Sequence, residues 1–218
     1  MRGVKVIITI VLVCLFMKIK GQDMQFTQFN AAPLYLNPAF TGSTIQHRFA
    51  SSYRNQWTAI PGHYNNFAFS YDYNLIDFNS GLGLVFAREQ AGSAGLSTTE
   101  AGLLYSYRFL LKKRVYIQAG LKFNYIRTGI DFSSLVFNDQ LYTDGSATTE
   151  SLLLSSTSYL DLTSGVLIYS SKYWAGIAVN HMNQPNQSLT NNESPLYMKL
   201  SVHGGYKFDI DDGNKRTA

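Results

Sequence analysis

The segment "NNFAFSYDYN", Asn65 to Asn74, places an aromatic ring at every second position from Phe67 to Tyr73, with small or polar residues between the rings. Because successive side chains of a β-strand point to opposite faces, the segment predicts a strand with one aromatic face and one small, polar face. A soluble β-sandwich hides its apolar face in a core and carries many charges on the other face. A membrane barrel turns the apolar face to lipid.

The same alternation recurs along most of the chain. The alternating segments are 45–57, 67–75, 81–88, 102–109, 115–125, 160–169, 173–179 and 196–210. Most reach or approach the 9–11 residues that cross a bilayer as a tilted strand. The second, fourth and sixth connections are short, and the others are mostly longer. This is typical of outer-membrane barrels, which have short periplasmic turns and longer extracellular loops.

The pattern therefore predicts an all-β fold, an antiparallel transmembrane outer-membrane β-barrel with about eight strands in this chain. Gly, Ser, Ala and Asn dominate the positions opposite the rings, which suits a crowded or watery lumen. The alternative from the residues alone is a secreted β-sandwich or a lipocalin-like soluble barrel.

The first 21 residues differ from the rest of the chain. Arg2 and Lys5 precede an apolar run from Val6 to Met17, which is too short to span a bilayer as a helix. Small Gly21 precedes Gln22. Residues 1–21 are therefore predicted to be a secretory signal peptide.

This segment carries four basic residues and no acidic one, which equals the formal net charge of +4 of the whole chain. The remainder is electrically balanced, so the sequence does not favour nucleic acid as a partner. The single cysteine, Cys14, lies inside the apolar run. The exported part therefore has no cysteine for a disulfide or a metal site.

No catalytic motif stands out. His47, His63, His181 and His203 lack metal-ligand spacing, and no G-x-S-x-G motif supports a barrel hydrolase. The "GLG" at Gly81–Gly83 lacks the third glycine of a dinucleotide site. We expect no enzyme, no cofactor and no metal, and we expect His47 and His181 to face lipid near strand ends.

Several stretches resemble the PorP/SprF family of type IX secretion outer-membrane proteins of the Bacteroidota. They are "YLNPAFTGS" (35–43), "YRNQW" (53–57), "IPGHYNNFAFSYDY" (60–73), "GLGLVFAREQAGSAG" (81–95), "YSYRFLL" (105–111) and "VYIQAGLKFNYI" (115–126). The family-motif positions are Asn37, Pro38, Arg54, Gln56, Trp57, Pro61 and Gly62. The resemblance runs from Tyr35 to about Ile210.

The resemblance implies an outer-membrane subunit that supports secretion or anchoring of surface proteins, with gliding motility in some members. The implied partners are outer-membrane lipid, other type IX components such as periplasmic or peptidoglycan-associated lipoproteins, and adhesin-type cargo. Family members continue beyond this length, so we expect 45–218 to be a barrel domain incomplete at its C-terminus, with a complete eight-strand barrel as the alternative. Residues 22–44 precede the first strand and are expected to form an N-terminal periplasmic segment. A passive channel for small solutes is the alternative function.

The predicted faces direct several charged residues into the barrel. The candidate lumen-lining residues are Arg48, Arg54, Asp72, Arg108, Lys122 and Lys199, and the same assignment places Arg88, Glu100 and Asp209 inward. They either pair across the lumen or line a channel and set its ion preference. The basic turn Lys112, Lys113 and Arg114 falls on the predicted periplasmic side, as a solvated turn or as a contact for a periplasmic partner.

Overall fold

The computed structural model describes residues 31–60, 62–93, 95–112, 114–131, 136, 138–142, 155–190 and 192–208. It contains eight strands, as the alternation predicted. They are β1 (His47–Gln56), β2 (Tyr64–Leu75), β3 (Ser80–Ala91), β4 (Leu96–Lys112), β5 (Val115–Gly129), β6 (Ser156–Tyr169), β7 (Tyr173–Asn180) and β8 (Lys199–Tyr206). Two short helices, α1 (Pro33–Leu36) and α2 (Asn138–Tyr142), and 3-10 turns at Pro38–Phe40 and Ile76–Phe78 complete the described elements.

Two strands differ most from their predicted bounds. β4 begins six residues before 102, because Leu96–Thr99 pairs with the end of β3, and the connection between them shrinks to a tight turn. β8 begins three residues later than 196, because the Leu196 side chain is buried and its amide donates to the Pro185 carbonyl within the preceding loop. β8 ends at Tyr206, so the predicted continuation is wrong at Lys207 and Phe208, while 209 and 210 lie outside the described residues.

The strands form one antiparallel sheet in chain order, each paired with its sequence neighbours. Within the described residues β1 and β8 are not paired with each other, so the sheet is a half-barrel with two open edges. The connections after β2, β4 and β6 define the short-turn end of the sheet. The other connections define the long-loop end.

The two faces of this sheet are inverted relative to a soluble protein. The outward face exposes large apolar side chains such as Phe49, Leu103 and Phe123, each more than half exposed. The inward face buries polar ones, including Asn66, Gln118 and Asp161. A sheet that hides polar atoms and exposes a continuous apolar band is consistent with an outer-membrane barrel. This confirms the predicted fold class over the soluble alternatives.

None of the helices among the described residues has the length and apolar character needed to cross a membrane.

Candidate functional site

The short-turn half of the inward face holds the chain's own segment Asn37–Gly42. Four glycines line the groove beneath it: Gly81, Gly120, Gly165 and Gly176. A Cβ atom at Gly120 would overlap the backbone of Pro38 and Ala39, and one at Gly81 would overlap the Thr41 carbonyl. The missing side chains therefore let the segment lie directly on the sheet.

Asn37 anchors one end of this segment and is fully buried. Its Nδ2 donates to the carbonyl oxygens of Val166 at 3.3 Å and Ile177 at 3.2 Å, and it lies 3.1 Å from Nε2 of His203. Its Oδ1 accepts from the amide of Ala39 at 2.8 Å. One amide side chain therefore caps the following 3-10 turn and fastens it to β6, β7 and β8.

Thr41 and Gly42 fasten the other end. The Thr41 carbonyl accepts from Ser106 Oγ at 2.7 Å and from Gln118 Nε2 at 2.6 Å. The Gly42 amide donates to Asp72 Oδ2 at 2.6 Å. Gly42 has a φ of +64°, a left-handed conformation that favours glycine, and an added Cβ would press against Gly81.

Arg48 completes this end of the site. Its Nε donates to Asp72 Oδ1 at 2.7 Å, and its Nη2 donates to the Phe40 carbonyl at 2.9 Å. The Asp72 side chain is 1% exposed, so the ion pair and the Gly42 amide satisfy a carboxylate that has lost its water.

Apolar contacts lie on either side of these hydrogen bonds. Leu34 packs with Val85 and Leu104 in a small buried cluster, against which Tyr35 and Phe40 also pack. The Tyr35 hydroxyl donates to the Phe86 carbonyl at 2.8 Å, in the middle of β3. Burial raises the pKa of Tyr35, which keeps the hydroxyl protonated as a donor.

Taken together, residues 34–42 contact all eight strands, from Arg48 on β1 to His203 on β8. The sheet edges are not hydrogen-bonded to each other among the described residues, yet both reach this one segment. The segment therefore occupies the interior at the short-turn half and holds the sheet in its curve.

The long-loop half of the interior is different, because it contains a cavity of about 490 Å³. Ala32, Tyr35 and Leu36 form its floor, and Gln187 and Leu196 of the β7–β8 loop contribute to its wall. Polar side chains of β4 to β8 supply most of the remaining lining: Glu100, Lys122, Asn124, Asp161, Thr163, Asn180, Lys199 and Ser201.

One ion pair and one histidine–carboxylate contact brace this cavity. Lys122 Nζ lies 3.1 Å from Glu100 Oε1 and 5.6 Å from the centre of the Tyr35 ring, so it joins β5 to β4 and to the N-terminal segment. His181 Nδ1 lies 2.9 Å from Asp161 Oδ1. These two contacts connect neighbouring strands and the N-terminal segment around the cavity.

His181 corrects a sequence prediction, since it was expected to face lipid. Its φ of +56° breaks the strict alternation after Asn180, so two consecutive side chains are buried on the inward side. The carboxylate of Asp161 supplies the polar partner. His47, in contrast, lies on the outward face as predicted, with Nδ1 2.9 Å from the Tyr71 hydroxyl.

The structure places each candidate lumen residue on the inward side of its strand. Arg48, Asp72 and Lys122 lie in the ion pairs described above. Arg108 Nη2 donates to Asn74 Oδ1 at 2.8 Å on the short-turn side. Arg54 lies 6.0 Å from the Tyr64 ring centre, and Lys199 lines the cavity from the edge strand.

Arg88 is the exception among the residues assigned inward, because it is exposed on the outward face. It has the same parity as Leu82, Leu84 and Phe86, which face out along β3. The face assignment from the sequence had placed it inward, and the strand geometry shows that this prediction was wrong. Asp209 lies outside the described residues.

The remaining motif positions lie at the long-loop end of β1. Gln56 ends the strand, and Trp57 follows with a φ of +57° and packs edge-on against Tyr64 at 6.4 Å. The Gly62 carbonyl accepts from the Gly92 amide at 3.0 Å, which ties the β1–β2 connection to the β3–β4 turn. Pro61 lies outside the described residues.

Lys112 and Arg114 are exposed at the β4–β5 turn, where Arg114 takes a φ of +66°. Lys113 lies outside the described residues. This hairpin also exposes Phe109, Leu110 and Leu111 beside the basic positions.

Sequence analysis gave Asn37 and Pro38 as family-motif positions but did not locate the groove that binds them. The available signal was the set of glycines at inward positions of four strands, which had been assigned only to the lumen. Within the described residues, no cluster of His, Cys, Asp or Glu has an arrangement suited to a metal ion.

Comparison with known proteins identifies the family of this chain. No curated protein and no solved structure matches the chain significantly. The family model described as "Type IX secretion system membrane protein PorP/SprF" matches residues 18–217, which is most of the chain. The chain therefore belongs to the PorP/SprF family of type IX secretion system membrane proteins.

Proposed function

We propose that this chain is a non-enzymatic, outer-membrane β-barrel subunit of the type IX secretion system. It supports the secretion or anchoring of adhesin-type surface proteins and, in cells that glide, motility. Residues 1–21 direct export. The basic turn Lys112, Lys113 and Arg114 faces the periplasm and contacts a periplasmic or peptidoglycan-associated lipoprotein.

The observation that carries the proposal is the filled short-turn half of the interior. A passive porin keeps a water-filled path through its lumen. Here the Asn37–Gly42 segment lies on the sheet through backbone contacts at Gly81 and Gly120, and Arg48 and Lys122 are paired with Asp72 and Glu100. This favours a structural or docking subunit over a solute channel.

Secretion and conductance test the proposal together. Cells lacking this protein should lose adhesin-type proteins from their surface, and the wild-type gene should restore them. Purified wild-type protein in a planar bilayer should give no steady conductance. A steady conductance that depends on solute size, together with unchanged surface proteins in the deletion strain, would favour the channel and sink the secretion proposal.

Topology is tested with cysteines in a Cys14→Ser background, where no other thiol exists. Asn192→Cys marks the exposed β7–β8 loop, and Asp77→Cys marks the exposed β2–β3 turn. An impermeant maleimide should label only the first in intact cells. Labelling only at residue 77 would mean that the barrel has the opposite orientation in the membrane.

A further inference from the structure

The outward face changes from apolar to polar side chains at the long-loop end of β3, β4 and β5. Along β3 the exposed side chain changes from Phe86 to Arg88, and along β5 it changes from Tyr125 to Arg127. On β4 between them, Thr99 follows the outward Ala101 toward the loops. All three strands therefore leave the apolar band at the same point.

Strand pairing brings these residues into one row. Arg88 lies opposite Thr99, and Thr99 lies opposite Arg127. The two arginines are thus separated by two strand spacings, about 10 Å between backbones. Arg127 donates from Nη2 to Ser156 Oγ on β6 in this structure, and a change of its side-chain rotamer would turn its guanidinium toward Arg88 over Thr99.

Neither arginine has an acidic partner among the residues that the structure describes. Arg127 Nη2 lies 3.1 Å from Ser156 Oγ, and both arginines are exposed. The charged inward residues, in contrast, are engaged, as at Arg48–Asp72 and Lys122–Glu100. Two unneutralised cations beside an apolar band call for an anion from outside the chain.

The flanking rows indicate what kind of anion. On the apolar side lie Phe69, Phe86 and Tyr125, which suit acyl chains. On the loop side lie Gln90 and Ser97, which offer neutral hydrogen bonds. A guanidinium fork binds phosphate bidentately, and anionic headgroups attract arginines at this depth of a membrane.

We propose that Arg88, Thr99 and Arg127 form a binding site for the phosphorylated headgroup of an outer-leaflet glycolipid of the lipid A type. The phosphate lies between the two guanidinium groups, and an acyl chain covers Phe86 and Tyr125. The site rests on the proposed function only for its location, with the long-loop end facing the cell exterior.

The test uses the full-length protein in nanodiscs and measures retained lipid by mass spectrometry. The lipid is lipid A, supplied phosphorylated or enzymatically dephosphorylated. The variants are Arg88→Gln, Arg127→Gln and both together. Arg54→Gln, an inward-side arginine of β1, is the matched control, and heat-modifiable migration reports folding of each variant.

Wild-type protein and Arg54→Gln should enrich phosphorylated lipid A equally. Each outward substitution should weaken retention about fivefold, from the contribution of one arginine at an anionic surface. Wild type and the double variant should retain equal amounts of dephosphorylated lipid A. Equal retention of phosphorylated lipid A by the folded wild type and the folded double variant would overturn the site. Full competition by millimolar inorganic phosphate would also overturn it, because that result would indicate a soluble anion as the ligand.

The two proposals fail separately. Protein that fractionates with the outer membrane, is labelled at residue 192 and shows no lipid preference contradicts the lipid site alone. Protein that is absent from the outer membrane, or inverted in it, contradicts both.

Discussion

The two halves of the barrel interior are built from the same strands but hold opposite contents. At the short-turn half, inward glycines at 81, 120, 165 and 176 leave a groove that the backbone of Asn37–Gly42 occupies. At the long-loop half, inward positions of the same sheet carry Glu100, Lys122 and Asp161 around a cavity. The inward glycines therefore leave room for the segment at the short-turn half, while larger charged side chains surround a cavity at the long-loop half.

This difference indicates that the residues on the inward face determine which half of the interior the Asn37–Gly42 segment fills.

Gly120→Val should displace the Asn37–Gly42 segment from the short-turn half of the interior. The new side chain would overlap the backbone of Pro38 and Ala39, which cannot yield unless the segment leaves its groove. We expect a loss of about 3 kcal/mol or more in the free energy of unfolding, at the upper end for overpacking. Ala119→Val, the adjacent outward residue, should remain folded and heat-modifiable. Equal behaviour of the two variants would contradict the docked segment.

Leu121→Arg alters the outward face of the same strand. Leu121 is exposed on the lipid side, so an arginine there should cost roughly 2–4 kcal/mol near the bilayer midplane. Lys122→Leu, one residue along, should reduce the yield of heat-modifiable barrel less. The opposite ranking, or wild-type protein in the soluble periplasmic fraction, would contradict the assigned faces.

Asp72→Asn should loosen the segment without blocking the groove. The variant weakens the charge-assisted hydrogen bonds from Arg48 and Gly42, each worth about 1.5–3 kcal/mol for a charged acceptor. Arg48 keeps partial access to water, so we expect a net loss of about 2 kcal/mol. Limited proteolysis should then cut near residues 40–44 faster than in wild type. An unchanged cleavage rate would show that Asp72 does not hold the segment.

The Lys122–Glu100 pair should contribute least, since it borders a cavity that water can enter. Lys122→Met and Glu100→Gln should each cost about 1 kcal/mol, and the double variant should cost less than their sum. Denaturant midpoints of the four proteins give the coupling. Strict additivity would mean that the two side chains do not interact in the membrane.

Much of this architecture could be predicted from the sequence, for identifiable reasons. The period-two pattern determined the strands and their faces, because lipid-facing positions require apolar side chains. Arg88 was misplaced because the inward face assigned to it does not agree with its parity with Leu82 and Phe86 on β3. His181 was misplaced because a left-handed residue at the end of β7 leaves no trace in a pattern of hydrophobicity.

The Asn37–Gly42 segment was harder to predict, since it has no periodicity and its contacts span the whole sheet. Ser106, Gln118 and His203 gave no local sign that they would bind it. Only the coincidence of inward glycines on neighbouring strands could have indicated that another part of the chain approaches the backbone there.

Hydrogen–deuterium exchange of the membrane-reconstituted wild-type protein tests the docked segment most directly. The amides of Ala39, Thr41 and Gly42 donate to Asn37 Oδ1, the Pro38 carbonyl and Asp72 Oδ2 inside the barrel. They should exchange as slowly as strand amides of β4 and β5, while the exposed β7–β8 loop exchanges rapidly. Exchange of residues 39–42 at the rate of that loop would contradict the account.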